Sequence, residues 1–148
     1  MLIGIHPLLT PDLLRALAAM GHGDEIAIVD ANFPAWTLGP PVIALAGASS
    51  PEALAAVLTV FPLDADADPA AITMEIIGDP DAVPEAVADF AAVFTDMDHA
   101  DSEIGSLERH AFYQRARGAA ASVLTGELRP YGNILLVKGV VNSYSALR

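Results

Sequence analysis

The sequence contains no cysteine, few cationic residues and no long apolar run, and each absence removes classes of function. Without cysteine, the 148-residue chain can form no disulfide, thiolate metal site or cysteine nucleophile. Seven lysines and arginines against 19 acidic residues give a formal net charge of −12. We therefore expect no binding to nucleic acid, anionic lipid or heavily phosphorylated ligands, because phosphate groups are bound by clustered cations.

The signatures of several enzyme classes are missing as well. The chain has no G-x-x-x-x-G-K-[ST], G-x-G-x-x-G, G-x-S-x-G or H-E-x-x-H motif. Nucleotide hydrolysis, dinucleotide redox chemistry, serine hydrolysis and zincin chemistry therefore lose their usual signatures. No apolar run reaches the ~18 residues of a membrane span, and the start lacks the basic and apolar regions of a secretory signal. These features predict a soluble, cytoplasmic protein that does not associate with a membrane.

The sequence is rich in apolar residues and has the length of a single domain. Hydrophobic residues make up 53% of the sequence and charged residues 18%, which favours an ordered protein with a substantial core. We predict a single domain over residues 1–148. The few polar residues cannot readily cover the surface of a monomer. We therefore expect some apolar surface to be buried against other subunits.

Helix and strand patterns alternate along the chain. Helices are predicted over 10–20, 50–61, 84–95 and 107–119, with Thr10 and Ser106 as caps and Gly21 ending the first helix. Strands are predicted over 26–29, 42–45, 72–77, 121–125 and 133–139, the first of them apolar on both faces. This order predicts an α/β fold, a three-layer α/β/α arrangement with a central mostly parallel or mixed sheet.

Two polar residues flank the first predicted strand. His22 lies between two glycines, which let the backbone expose its ring. An imidazole can give and take a proton near neutral pH, so His22 is either an acid/base residue or an ordinary loop histidine. Asp30 follows four aliphatic residues, at the strand end beyond which open α/β sheets bind ligands. It is either a site residue or a capping or turn acid.

Two later segments also carry polar groups of interest. Arg109 lies at the end of a helical stripe that includes Phe112, and is either a surface ion-pair partner or a guanidinium that binds hydroxyls. Tyr131, Gly132 and Asn133 join a turn to a strand. They offer donors and acceptors for a polyol, or form an ordinary hairpin turn.

The acidic segment "DADADPAAITME" was weighed as a calcium loop. Acids at 64, 66, 68 and 75 fall on positions 1, 3, 5 and 12 of such a loop, but Pro69 stands where it requires glycine. The sequence therefore predicts no metal site here.

Taken together, the motifs resemble one family. The chain opens with "LTPDLLRALAAMGHGDEIAIVDANFPA", and later contains "ERHAFYQRA" and "TGELRPYGNILLVKGV". Their order and spacing are similar to those of the fucose mutarotase and ribose pyranase family, from residue 1 to about 141. Gly-Asp-Glu after His22 and the Asn-Phe-Pro-Ala sequence are closer to the fucose branch.

The resemblance implies an isomerase that interconverts cyclic forms of a free aldose, most of all L-fucose or a related sugar, without a cofactor or a metal. It implies His22 as the acid/base residue and a substrate-binding role for Asp30, Arg109 and Tyr131-Gly132-Asn133. It also implies assembly into a ring-type homo-oligomer, such as a decamer, with shared sites, and makes Tyr131 and Asn133 candidates for a contribution in trans.

The chain also departs from the fucose-type pattern. Where such members usually have Ile-Arg-Ala-Asp-Gly, residues 43–47 read Ile-Ala-Leu-Ala-Gly, and His110 stands where a phenylalanine is usual. These differences bear on sugar specificity and subunit count. The alternative function from another class is a non-catalytic sugar-binding or sensing oligomer.

Overall fold

A mixed six-stranded sheet with five helices forms the fold. The structure, a computed structural model, describes residues 2–143. Its strands are β1 Glu25–Val29, β2 Val42–Leu45, β3 Ala71–Met74, β4 Ile104–Leu107, β5 Ala121–Thr125 and β6 Ile134–Val137. Its helices are α1 Pro11–Ala19, α2 Ala35–Leu38, α3 Ser50–Leu58, α4 Glu85–Asp96 and α5 Arg109–Ala116.

The strand order is β2-β5-β1-β6-β3-β4, and β6 runs antiparallel to both of its neighbours. The other pairs are parallel; in the centre of the sheet, Ile28 of β1 lies between Val123 of β5 and Ile134 of β6. The carboxyl ends of five strands therefore meet the amino end of β6 at one edge. This is the edge at which open α/β sheets bind ligands.

Strand β1 is buried on both faces, as its unbroken apolar sequence predicts. Ile26 and Ile28 belong to a core that includes residues of α1, α3 and α4. Ala27 and Val29 point to the opposite face and pack in a second core with Phe112 of α5. The predicted three-layer α/β/α fold is confirmed.

The first helix shows how local sequence sets these elements. Thr10 caps α1, since its hydroxyl accepts a hydrogen bond from the Leu13 N–H at 3.3 Å, and Pro11 is its first residue. At the other end the prediction is wrong by one residue. The C-cap is Met20, in an extended conformation, rather than Gly21.

The start of α5 differs from the prediction. Ser106 does not cap a helix, because residues 104–107 form β4 beside β3. The cap is Glu108, whose carboxylate accepts hydrogen bonds from the N–H groups of His110 and Ala111 at 2.8 and 3.2 Å. Serine is the more usual N-cap residue, which is why the sequence favoured the wrong position.

Other elements also differ in extent or pairing. The strand predicted over 72–77 ends at Met74, and the short helix α2, after Pro34, was not predicted. The segment between β5 and β6 is not a hairpin turn, because β1 lies between these two strands. None of the helices within residues 2–143 has the length and hydropathy needed to span a membrane.

Candidate functional site

A cavity of about 220 Å³ opens at the carboxyl end of β1. It receives residues from the loops after β1 and β3, the start of α5 and the segment before β6. Its lining residues are Asp30, Asn32, Phe33, Met74, Ile77, Arg109, Tyr113, Pro130, Tyr131 and Asn133. Four of the six residues predicted for the site, Asp30, Arg109, Tyr131 and Asn133, therefore line one cavity.

Asp30 and Asn133 form the buried floor of this cavity. The backbone N–H of Asp30 donates to Asn133 Oδ1, and Asn133 Nδ2 donates to Asp30 Oδ2, both at 2.9 Å. The N–H of Asn32 donates to Asp30 Oδ1 at the same distance. Burial raises the pKa of Asp30, and these hydrogen bonds partly oppose that rise. Asp30 is thus both a turn acid and a cavity residue.

Neighbouring groups constrain the backbone of Tyr131 and Gly132, which precede Asn133. Tyr131 has φ of 61°, and its hydroxyl oxygen accepts a 3.3 Å hydrogen bond from the Ile77 N–H. The phenolic proton is left available to donate to a ligand. A Cβ on Gly132 would lie 2.8 Å from Glu127 Cγ and 3.0 Å from Ser50 Oγ, so this position accepts only glycine without local movement.

Arg109, the first residue of α5, brings a guanidinium to the cavity. Its Nε is buried and has no hydrogen-bond partner among the described residues, and its Nη2 lies 3.5 Å from His110 Nε2. Buried donors are normally satisfied. The surface ion pair that the sequence left open is not formed within residues 2–143. The Arg109 guanidinium therefore borders the cavity without a carboxylate partner among the described residues.

An apolar wall lies beside these polar groups. The rings of Phe33 and Tyr113 meet edge to face, with centroids 5.3 Å apart, and Phe33 packs in the same way on Phe112 at 6.0 Å. Met74 and Ile77 continue this wall. The cavity therefore combines directed hydrogen-bonding groups with an apolar surface, as small-molecule sites commonly do.

His22 lies at the other end of β1. Its ring is 55% exposed, and its Nε2 lies 3.0 Å from Asp64 Oδ2. The turn that carries it is held by Gly23, which has φ of 82° and donates its N–H to the Lys138 carbonyl oxygen at 2.8 Å. Asp64 is nearly buried and can hold the imidazole in one orientation.

The length of β1 separates His22 from the cavity. The strand has five residues at ~3.3 Å per residue, so within one chain His22 cannot reach a ligand that contacts Asp30. A contribution of Tyr131 and Asn133 in trans stays a prediction. They share a cavity with Asp30 and Arg109 of their own chain, and His22 is the residue that lies apart.

The acidic segment after α3 does not form a calcium loop. Asp64 pairs with His22, and Glu75 Oε1 accepts a hydrogen bond from the Ser106 hydroxyl. Within residues 2–143, no group of three or more His, Asp or Glu side chains is placed to hold a metal ion.

Comparison with known proteins identifies the family of this chain. Residues 3–141 match the RbsD / FucU transport protein family. The chain belongs to this family. The match includes both ends of β1 and the loops that line the cavity.

Solved structures agree with this assignment. The fucose mutarotase from Streptococcus pneumoniae, in complex with L-fucose, is 36% identical, with a TM-score of 0.88 over 95% of this chain and 99% of that one. FucU from Bifidobacterium longum is 43% identical, with a TM-score of 0.84 over 93% and 99% of the two chains. Bacillus subtilis RbsD, complexed with D-ribose, is 24% identical with a TM-score of 0.71 over 92% and 97%, and shows the fold alone.

Sequence reasoning did not find every residue of the cavity or the contact made by His22. It considered Asp64 only as a calcium-loop position and missed its contact with His22, because nothing local indicates a partner 42 positions away. It also missed the apolar wall, although Phe33 in the Asn-Phe-Pro sequence beside Asp30 was a usable signal. The wall residues come from loops, a strand and a helix that only the sheet order brings together.

Proposed function

We propose that this protein is an isomerase that interconverts the anomers of a free aldose, with L-fucose or a related sugar as substrate. The observation that carries the proposal is the convergence of Asp30, Arg109, Tyr131 and Asn133 on one cavity. Its volume of about 220 Å³ is below the ~300–1,000 Å³ of pockets for drug-sized ligands, which suits one monosaccharide ring. The similarity to a fucose mutarotase solved with L-fucose supports the choice of sugar.

The groups in the cavity suit a neutral polyol. The Asp30 carboxylate accepts hydrogen bonds from sugar hydroxyls, while the Arg109 guanidinium and the Tyr131 hydroxyl donate to sugar oxygens. A single guanidinium is sufficient because a free sugar carries no phosphate. Gly132 does not line the cavity itself, and its missing Cβ makes room for Glu127 and Ser50. The apolar wall packs against the C–H groups of the ring.

The proposed chemistry is a proton relay. A hemiacetal opens when the anomeric hydroxyl loses a proton and the ring oxygen gains one; the carbonyl then rotates and the ring closes on its other face. His22 takes and returns the proton, since an imidazole does both near neutral pH. One positioned acid or base contributes ~10²–10⁴-fold. That is a useful gain for a reaction that already proceeds unaided, and the proposal requires no cofactor or metal.

We propose that each site combines His22 of one protomer with the cavity of the next. Large apolar side chains are exposed at both ends of β1. Ile77 and Leu128 are 59% and 79% exposed near the cavity, and Val140, close to the His22 turn, is 58% exposed. A head-to-tail contact buries a different patch on each partner and closes into a ring when the rotation permits. On this basis we propose a homo-oligomeric ring with shared sites, as the sequence predicts.

We also propose that residues 1–148 act as one domain, because one sheet carries both cores. A cytoplasmic location and the number of subunits in the ring stay predictions.

Saturation-transfer NMR on equilibrated sugars tests the function. We expect the protein to accelerate exchange between the two anomers of L-fucose well above the rate in buffer, with D-ribose and D-galactose as comparison sugars. Exchange at the buffer rate for all three would contradict the isomerase. If calorimetry then showed sugar binding, the non-catalytic sugar-binding oligomer would replace it.

A further inference from the structure

The segment that carries Tyr131 to Asn133 into the cavity begins at an unusual ion pair. Glu127 is only 5% exposed, and both of its carboxylate oxygens are engaged by one guanidinium. Arg129 Nε donates to Oε1 at 3.0 Å and Nη2 donates to Oε2 at 2.9 Å. This two-point geometry fixes the relative orientation of the two side chains.

The same guanidinium reaches across to α4. Arg129 Nη1 donates to Asp89 Oδ2 at 2.7 Å and lies 3.5 Å from Glu85 Oε1. The segment before the cavity is thus tied to a helix on the far side of the sheet from α5. No residue of this cluster lines the cavity itself.

Two contacts connect Glu127 to the cavity. Its backbone carbonyl accepts a 2.9 Å hydrogen bond from the N–H of Ala31, the neighbour of Asp30. Its Cγ would lie 2.8 Å from a Cβ at position 132, so any side chain there would force Glu127 to shift. A change in the position of Glu127 therefore displaces groups on both sides of the Asp30–Asn133 pair.

Tyr131 gives the second line of argument. Its φ of 61° is uncommon for a residue other than glycine, and such a conformation persists when its surroundings over-determine it. Arg129, two residues earlier, supplies such a constraint through three carboxylates. Without it, Tyr131 would be free to relax toward ordinary backbone angles and carry its hydroxyl away from the Ile77 N–H.

We propose that the Glu127–Arg129 pair, anchored on Asp89, is the positioning device for the Tyr131–Asn133 side of the sugar cavity. It does not touch the sugar; it sets the places of the groups that do. The part of this inference that concerns sugar rests on the proposed function. The part that concerns the order of residues 130–133 does not.

The test compares Arg129→Gln with Arg115→Gln. Arg115 also engages both oxygens of one carboxylate, because its Nε lies 2.8 Å from Glu25 Oε1 and 3.1 Å from Oε2, but it lies outside the cavity lining. For Arg129→Gln we expect the KM for L-fucose and the calorimetric Kd to rise about tenfold, as for one or two weakened hydrogen bonds, with kcat within about threefold of wild type. Arg115→Gln should keep the wild-type KM and Kd.

Amide hydrogen exchange provides a readout that needs no sugar. We expect faster exchange for residues 130–133 in Arg129→Gln and not in Arg115→Gln. Arg129→Lys keeps the charge but loses the planar fork, so it should give intermediate KM and exchange; it also serves if Arg129→Gln does not fold. A lowered melting temperature with wild-type KM, Kd and exchange at 130–133 would overturn the proposal. A wild type that neither binds nor interconverts sugar would instead overturn the function, and the exchange comparison would still decide the positioning role.

Discussion

At the carboxyl end of β1, Asp30 and Asn133 are 5% and 2% exposed and hydrogen-bonded to each other, whereas at the amino end the His22 ring is 55% exposed. The proposed function gives these two ends different tasks. Groups that orient a ligand gain from being held in place before it arrives. A residue proposed to complete a site on another protomer must instead project from its own surface, and the contact with Asp64 can orient the His22 ring.

The largest expected effect is at the amino end. His22→Ala should lower kcat/KM for anomer exchange by ~10²–10⁴-fold, because it removes the proton relay, while the Kd for sugar changes little. Saturation-transfer NMR and calorimetry measure the two quantities. His99→Ala, on the loop after α4, is the matched control and should keep wild-type exchange. A His22→Ala variant with wild-type exchange would remove the functional difference between the ends.

At the carboxyl end the expected loss is of binding and stability together. Asn133→Ala leaves Oδ2 and the backbone N–H of Asp30 without their Asn133 partners, which costs about 1–3 kcal/mol in the free energy of unfolding and abolishes measurable sugar binding. Urea titration and calorimetry check both. Asn32→Ala keeps the hydrogen bond from the backbone N–H of residue 32 to Asp30 Oδ1. The free energy of unfolding should therefore change by less than ~0.5 kcal/mol. Equal effects of the two substitutions would contradict the role of the Asn133 side chain.

A smaller effect tests how the amino end orients its histidine. Asp64→Asn keeps the size of the side chain but removes the charge opposite His22, and kcat should fall about tenfold, the lower range for a charged hydrogen bond at an exposed group. KM should stay near wild type, since Asp64 does not line the cavity. Asp66→Asn is the control, because its backbone N–H, not its carboxylate, contacts Asp64. A loss confined to KM would place Asp64 in sugar binding instead.

The smallest effect concerns pH and two carboxylates near the carboxyl end. Arg129 lowers the pKa of Glu127 from 4.5 to about 2. The ionised Glu127 carboxylate therefore stabilises the fold fully above pH 4.5, and this stabilisation is lost as the pH falls toward 2. Burial raises the pKa of Asp30 above 3.8, so its protonation favours the folded state as the pH falls. Urea unfolding between pH 5 and 2 should show a shallower decline for Glu127→Gln than for wild type and a steeper one for Asp30→Asn. The same slope in all three proteins would contradict these assignments.

The sequence predicted the parts of the fold that depend on local pattern. The Thr10-Pro11 start of α1 and the aliphatic run of β1 follow from short-range chemistry, and both were found where expected. The order of the strands was not predictable, because the placement of β1 between β5 and β6 depends on contacts about 100 residues apart. That strand order also decides at which end of the sheet each site residue lies.

The same limit applies to the site. The position of Asp30 after an apolar strand indicated a cavity residue from local sequence, and resemblance added Arg109 and the Tyr-Gly-Asn segment. Neither source indicated that Asp64 would pair with His22, or that the Glu127–Arg129 pair would support Tyr131. These are contacts between side chains whose local sequences look like ordinary acidic loops and turns.

Mixing two inactive variants tests the shared site most directly. His22→Ala and Arg109→Met each remove one half of it; they are dissociated, mixed in equal amounts and reassembled. Half of the protomers then carry an intact His22 and half an intact cavity, so about a quarter of head-to-tail sites regain both. The account predicts that anomer exchange of L-fucose recovers to about a quarter of the wild-type rate. Exchange no faster than the sum of the two separate variants would contradict it.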